Sequence, residues 1–388
     1  MSNTIEKMIA QTFLDISKGL ETGSFSKKPH LLLTGIGSEH GEEEMMKGAL
    51  MAAGTGIEVT YVGTLSHEKV TTLYADNEDQ AHKIMEQMLQ KGEVDGAVTM
   101  HYPFPIGVST VGNVITPGRG KELLIATTTG TSATNRVEGM VKNALAGVIA
   151  AKACGNPSPT IGILNIDGAR QCEIALKELQ AGGYPLQFAT SSRADGGSIM
   201  RGNDLLTGSC DIMVTDPLTG NVLTKMLSSF TSGGSYESLG SGYGPGIGKN
   251  QKELVMIVSR ASGAPVIAGA LAYGAKLVAG NWLAVIHQEY EAAEKAGLKT
   301  ILEKIQSKEK SVGKEKEEPI SSPPKTIVTE EIAGIEITDL EEAVFSLWKA
   351  GIYAESGMGC TGPVVLVNES LIEKARALLT TEGWISQE

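Results

Sequence analysis

Cysteine is scarce and scattered: Cys154, Cys172, Cys210 and Cys360 are the only four in 388 residues, and no two form a CxxC pair. That spacing argues against both a zinc site and a disulfide framework, and it fits a reducing compartment. Basic residues are outnumbered, 33 Lys plus Arg against 45 Asp plus Glu, for a formal net charge of -12. No basic stripe is left over for nucleic acid. No apolar run reaches about 18 residues free of charge, so no membrane span is expected. Met1 to Ile16 has an amphipathic helical pattern, but Glu6 and Asp15 break any signal-peptide core, and a cytoplasmic protein is predicted. Clustered aspartates for a divalent metal are missing, as is a GxGxxG in a βαβ context, which disfavours NAD-dependent oxidation. Neither metal nor organic cofactor is called for.

What is present alternates strand and helix. His30 to Leu33 reads as a strand that runs into Thr34-Gly35-Ile36-Gly37-Ser38-Glu39-His40-Gly41, with a helix from about Glu42. This is the βα arrangement that places ligands at the carboxyl end of a parallel sheet, so Ser38 marks a candidate pocket edge. Ile57 to Val62 is a second strand, Glu78 to Lys91 a helix, and Gly96 to Met100 a third strand. The alternation predicts an α/β fold with a parallel sheet. His101 to Gly107 is too proline-rich for helix; His101, at a strand end, is either an acid-base group or a hydrogen-bonded structural histidine, and the second reading is favoured.

Leu123 to Ala126 is a further strand entering Thr127-Thr128-Thr129-Gly130-Thr131-Ser132-Ala133-Thr134-Asn135-Arg136 before a helix from about Val137 to Cys154. Thr131, Ser132 and Arg136 at that entrance are either phosphate ligands or simple caps. Thr160 to Ile166 is a strand pattern that contains Asn165, which needs a partner if buried. A helix over Ala169 to Ala181 follows. Cys210 to Lys225 then repeats the layout of strand, glycine turn and helix, with Asp216, Asn221 and Lys225 close together. Asn221 and Lys225 share one face of a helix that begins at Gly220. Serine and glycine dominate Ser228 to Gly248, which lacks the Lys-Ser or Lys-Thr of a P-loop and reads as a mobile surface loop or lid. Ala264 to Gly269 reads as a strand, and Asn281 to Lys304 as one long helix.

Two bodies joined by a tether are expected: an α/β domain over 1–305, a charged proline-containing linker over 306–326, and a module over 327–388. The linker has almost nothing to bury, so the module either moves on its tether or docks permanently. In that module lies Gly357-Met358-Gly359-Cys360-Thr361-Gly362-Pro363, placed between a helix ending near Tyr353 and the apolar run Val364 to Val367. Glycine amides at Gly357, Gly359 and Gly362 can approach an oxyanion closely, and a thiol there can be activated as a nucleophile. The plainer reading is a glycine-rich loop with a small apolar residue in it.

These segments resemble a known family. Ile161 to Ile166, Asp211 to Asp216 and Thr219-Gly220-Asn221 through Lys225 are similar to the motifs of the phosphate acyltransferase of bacterial phospholipid synthesis over roughly Leu31 to His287. Pro217 replaces a usual glycine, Asp167-Gly168 stand where that enzyme has a glycine and an acidic residue, and its N-terminal Asp-Ala-Met-Gly-Gly-Asp is replaced by Gly35-Ile36-Gly37-Ser38-Glu39. The whole chain, including Gly37-Ser38-Glu39-His40-Gly41, Thr129-Gly130-Thr131-Ser132 and the Cys360 segment, resembles the small alpha subunit of component C of glycine/sarcosine/betaine reductase complexes. The resemblance implies a three-layer α/β sandwich of the isopropylmalate dehydrogenase-like type. It further implies an acetyl thioester on Cys360, derived from a carboxymethyl group on selenoprotein A, and its phosphorolysis to acetyl phosphate with inorganic phosphate as co-substrate. The implied partners are a larger beta subunit and selenoprotein A. Asn165, Asn221 and Lys225 are the expected phosphate donors, with Asp216 orienting Lys225 or a backbone turn. A non-catalytic scaffold serving a larger partner, or a general phosphate acyltransferase, are the alternatives.

Overall fold

The computed structural model describes residues 28–192, 196–312, 322–335, 339–359 and 362–385, together with Phe13 and Ser17. In chain order the body contains β1 (His30–Thr34), α1 (Glu42–Ala53), β2 (Glu58–Gly63), β3 (Thr71–Tyr74), α2 (Glu78–Lys91), β4 (Gly96–Thr99), β5 (Val108–Ile115), β6 (Glu122–Thr131) and α3 (Arg136–Ala153). It continues with β7 (Thr160–Leu164), α4 (Ala169–Ala181), β8 (Gln187–Phe188), β9 (Ile199–Met200), α5 (Gly202–Thr207), β10 (Ile212–Val214) and α6 (Pro217–Ser228). Next come β11 (Gly244–Ile247), β12 (Val255–Ile257), α7 (Ala264–Ala279), α8 (Trp282–Lys295) and α9 (Leu298–Val312). The C-terminal unit has β13 (Glu330–Ala333), α10 (Leu340–Lys349), β14 (Ala354–Gly359), β15 (Gly362–Val367) and α11 (Ile372–Thr381).

Among the described residues, twelve strands form one sheet in the order β3-β2-β1-β4-β12-β11-β5-β6-β10-β7-β8, with β9 beside β7. Both faces are covered, because successive residues of a strand point to opposite sides. Leu31 and Leu33 pack into the core that holds α1, α3 and α7, while Leu32 packs with Ala81, Met85 and Leu89 of α2. In β10, Ile212 and Val214 face that same first core and Met213 the opposite one. The result is the expected three-layer α/β body.

The sheet is mixed and not wholly parallel. β12 with β11, β11 with β5, and β5 with β6 are each antiparallel pairs. Three reversals leave the β3-β2-β1-β4-β12 run and the β6-β10-β7-β8 run pointing in opposite directions. Three further sequence expectations fail here. The segment ending the glycine-rich stretch, Gly244 to Ile247, is a buried central strand and not part of a surface lid. Ala264 to Gly269 opens helix α7: Pro265 sits in its first turn, and the first backbone amide, Ala264 N, donates to Glu44 Oε1 at 3.0 Å. The stretch read as one helix from Asn281 is two, α8 and α9, broken at Ala296-Gly297. Among the described residues no single helix is long and apolar enough to cross a membrane, and the chain bends by 66° between α7 and α8.

Helix α9 continues to Val312, seven residues into the stretch expected as linker, and 313–321 lie outside the described residues. In the C-terminal unit β15 lies between β13 and β14, antiparallel to both. Ile332, Leu340, Ala343, Leu347, Val365, Val367 and Leu379 form a core of its own there. This unit touches the body at the start of α4: Arg170 Nε donates to the Gly334 carbonyl at 3.4 Å, and Gln171 Nε2 to Asp339.

Candidate functional site

A cavity of about 210 Å³ opens where the ends of β4 and β12 meet β6 and α6. Met100, Ile257 and Val258 form apolar wall, and His101, Thr129, Asn221, Lys225, Tyr243 and Ser259 bring polar atoms to it. Asn221 and Lys225, four residues apart, are on the same side of α6 as expected. The helix starts at Pro217, three residues earlier than Gly220. Gly220 is needed for close approach: a Cβ there would overlap the Thr127 carbonyl oxygen and crowd Thr215 Oγ1. That contact seats α6 on β6, and Asn221 Nδ2 donates to the Thr128 carbonyl at 3.1 Å.

Asp216 does not enter the cavity lining. It is the N-cap of α6, accepting from Leu218 N at 3.0 Å, Thr219 N at 3.1 Å and Thr219 Oγ1 at 2.6 Å. Those amides are therefore taken, and they are not free to meet an anion. Lys225 lies in the last turn of the same helix with its side chain 55% exposed. Its Nζ is 3.9 Å from Oε1 of Glu237, which is 1% exposed. The same Oε1 accepts from Tyr243 Oη at 3.2 Å, and Oε2 accepts from Ser262 Oγ at 2.9 Å. Burial, reinforced by the Glu237 charge, pushes the Tyr243 phenol well above its usual range.

His101 is exposed at the mouth, and its ring takes no hydrogen bond among the described residues, contrary to the structural reading favoured from sequence. Ser132 lies elsewhere: it is buried in a network in which Ser109 Oγ sits 2.6 Å from Ser132 Oγ and bonds Asn143 Oδ1 at 2.7 Å. Thr131 is the exposed last residue of β6. Asn165 follows β7, is exposed, and has its backbone N–H on the Met200 carbonyl at 2.8 Å. Arg136 is paired with Asp167 at 2.6 Å. Ser38 sits in a turn held by Arg260, whose Nη1 donates to the Gly37 carbonyl at 2.8 Å and whose fork grips Glu78 at 2.7 and 2.8 Å. Of the residues singled out for phosphate, the cavity thus gathers Asn221 and Lys225.

Cys360 and Thr361 lie outside the described residues. Their neighbours differ from the expected loop: Gly357 and Gly359 belong to β14 and Gly362 to β15, with Gly357 opposite Val364 and Gly359 opposite Gly362. The other thiols are poor nucleophiles. Cys172 and Cys210 are buried, and burial pushes Cys154 and Cys210 up to about 12 and Cys172 higher still.

Sequence reasoning missed Glu237 and Tyr243. One signal was available, since Glu237 is the lone charged residue between Ser228 and Gly248.

Residues 30–366 match the model of the family described as fatty acid synthesis protein, and the chain belongs to that family. The match runs past His287 into the C-terminal unit. A particular relative is the alpha subunit of component C of the glycine/sarcosine/betaine reductase complex of Peptoclostridium acidaminophilum; the chain is 53% identical to it over 384 residues, 98% of this chain and 99% of the relative. Among solved structures, a branched-chain phosphotransacylase from Enterococcus faecalis V583 aligns with a TM-score of 0.46 at 18% identity, over 64% of this chain and 98% of that one. A putative 4-hydroxythreonine-4-phosphate dehydrogenase from Salmonella typhimurium aligns at 0.42 with 10% identity, over 65% and 100%.

Proposed function

We propose that this chain is the alpha subunit of a component C that discharges an acetyl thioester on Cys360 to inorganic phosphate, with no other cofactor. The observation that carries the reading is 53% identity along nearly the whole of both chains. The larger beta subunit and the selenoprotein A that delivers the carboxymethyl group are its partners.

The chemistry needs placement more than power. An oxygen of hydrogenphosphate attacks the thioester carbonyl, and an oxyanion forms on the tetrahedral carbon. The C–S bond then breaks, and the proton that phosphate carried ends on the cysteine sulfur, giving acetyl phosphate and a free thiol. Lys225 and Asn221 hold the phosphate in the cavity beside Thr129, where an ammonium and a side-chain amide can both donate. The apolar wall of Ile257 and Val258 keeps competing water away from the acyl group. Asp216 keeps α6 in place, and takes no part in the transfer.

The test is intact-protein mass spectrometry of the full chain with its complex partners after incubation with acetyl phosphate. One acetyl adduct is expected, mapping to Cys360, lost on addition of arsenate and absent from Cys360→Ala. An adduct on Cys154, Cys172 or Cys210, or one that survives in Cys360→Ala, overturns the reading.

A further inference from the structure

We propose that Glu237 is a positioning residue that holds the Lys225 ammonium over the cavity; the inference rests on the reading that Lys225 receives phosphate. A carboxylate 1% exposed is costly to bury unless its charge is compensated. The two hydroxyls that bond it, Tyr243 Oη and Ser262 Oγ, are neutral donors that fill its lone pairs without cancelling its charge. Among the described residues, Lys225 is the cation that forms an ion pair with it.

The pair is asymmetric, and the asymmetry assigns the roles. Glu237 is fixed from every side: its backbone N–H bonds the Ala261 carbonyl at 3.1 Å, its carbonyl accepts from Gly263 N at 2.8 Å, and both carboxylate oxygens are occupied. Lys225 is the mobile end, more than half exposed on a long stem with many rotamers. At 3.9 Å the carboxylate attracts the ammonium without engaging it in a tight hydrogen bond, so its three N–H groups stay available to an anion entering the cavity. Glu237 thus restricts where Lys225 points before phosphate arrives, and it touches neither phosphate nor the reacting carbon.

A double-mutant cycle on the complete component separates this role from a merely structural one. Phosphate-dependent release of acetyl from the acylated chain is followed in wild type, Glu237→Gln, Lys225→Met and the double variant, with thermal midpoints measured alongside. Glu237→Gln removes the charge and keeps an acceptor oxygen for one hydroxyl, while the other hydroxyl turns to accept from the new amide N–H; it is expected to raise the KM for phosphate about tenfold and to change kcat less than threefold. The double variant is expected to match Lys225→Met within twofold, because Glu237 acts through the lysine. Fold-changes that multiply in the double variant, or a KM in Glu237→Gln equal to wild type, overturn the proposal while leaving the phosphate site standing. An unchanged KM in Lys225→Met instead overturns the phosphate site itself, and the positioning role falls with it. Should Glu237→Gln not fold, Glu237→Asp retains the charge and withdraws it by one methylene; its KM increase must vanish in the Lys225→Met background, and persistence there overturns the role.

Discussion

Two adjacent parallel strands, β7 and β10, end in turns of the same grammar, and they finish their helices differently. Both run from an apolar strand through Asn165-Ile166-Asp167-Gly168 or Thr215-Asp216-Pro217 into a helix. After β10 the cap is a side chain: Asp216 closes the first turn of α6, and Gly220 lets that helix press on Thr127. After β7 the cap is Gly168, left-handed at φ 85°, with no side chain to close α4. In its first turn α4 presents Arg170 and Gln171, which meet the C-terminal unit at Gly334 and Asp339. One turn therefore builds a cavity wall and its neighbour builds a docking contact. The difference lies in which residue supplies the cap.

Substitutions at the two turns sharpen that contrast. Gly220→Ala forces a Cβ against a backbone oxygen that cannot rotate away, and a loss of about 3 kcal/mol is expected from overpacking, read as a fall in the urea midpoint at constant m. Gly168→Ala meets Val137 Cγ2 at 3.2 Å and adopts a left-handed angle, for about 1 to 2 kcal/mol. Equal losses at the two glycines would show that α4 is as tightly seated as α6, and the contrast would fail. Asp216→Ala removes the cap and should cost about 1 kcal/mol, with Asp216→Asn recovering most of it; an unaffected midpoint would mean that water replaces the carboxylate freely. The smallest effect belongs to the docking contact. Asp339→Ala is expected to change the midpoint by less than about 0.5 kcal/mol while speeding amide hydrogen exchange at the start of α4, where the contact is lost. A larger loss would make the C-terminal unit part of the cooperative core of the body.

Much of this was legible from periodicity. The helices Glu78 to Lys91 and Ala169 to Ala181 end where the sequence predicts, the first because Asn77 caps it and a left-handed Gly92 stops it. Periodicity failed at the centre of the sheet, where β11 is Gly-Pro-Gly-Ile and carries no alternation. Its burial comes from tertiary neighbours: a Cβ at Gly246 would meet the ring of Phe104, and one at Gly244 the backbone of Val111. Glycine is there because the chains are close, and a local reading sees only flexibility. Asn221 and Lys225 were legible because helical spacing alone puts them on one face. Glu237 and Tyr243 were not, since they reach the cavity from a segment with no period of its own. Asn165 and Ser132 lie apart from the cavity for the opposite reason: both have suitable chemistry, but an exposed turn claims one and a buried hydroxyl network the other.

The cap on α6 has one more consequence. Because the Asp216 carboxylate already occupies the positive end of the helix, an anion entering the cavity is not gripped by a ring of buried amides, as at many phosphate sites. Under the proposed function, what would draw phosphate is the solvent-facing charge of Lys225, and such a field is screened over roughly 8 Å at physiological ionic strength. On that reading the hold on phosphate would be set partly by the surrounding electrolyte, and other oxyanions of similar size and charge would compete for the site on nearly equal terms.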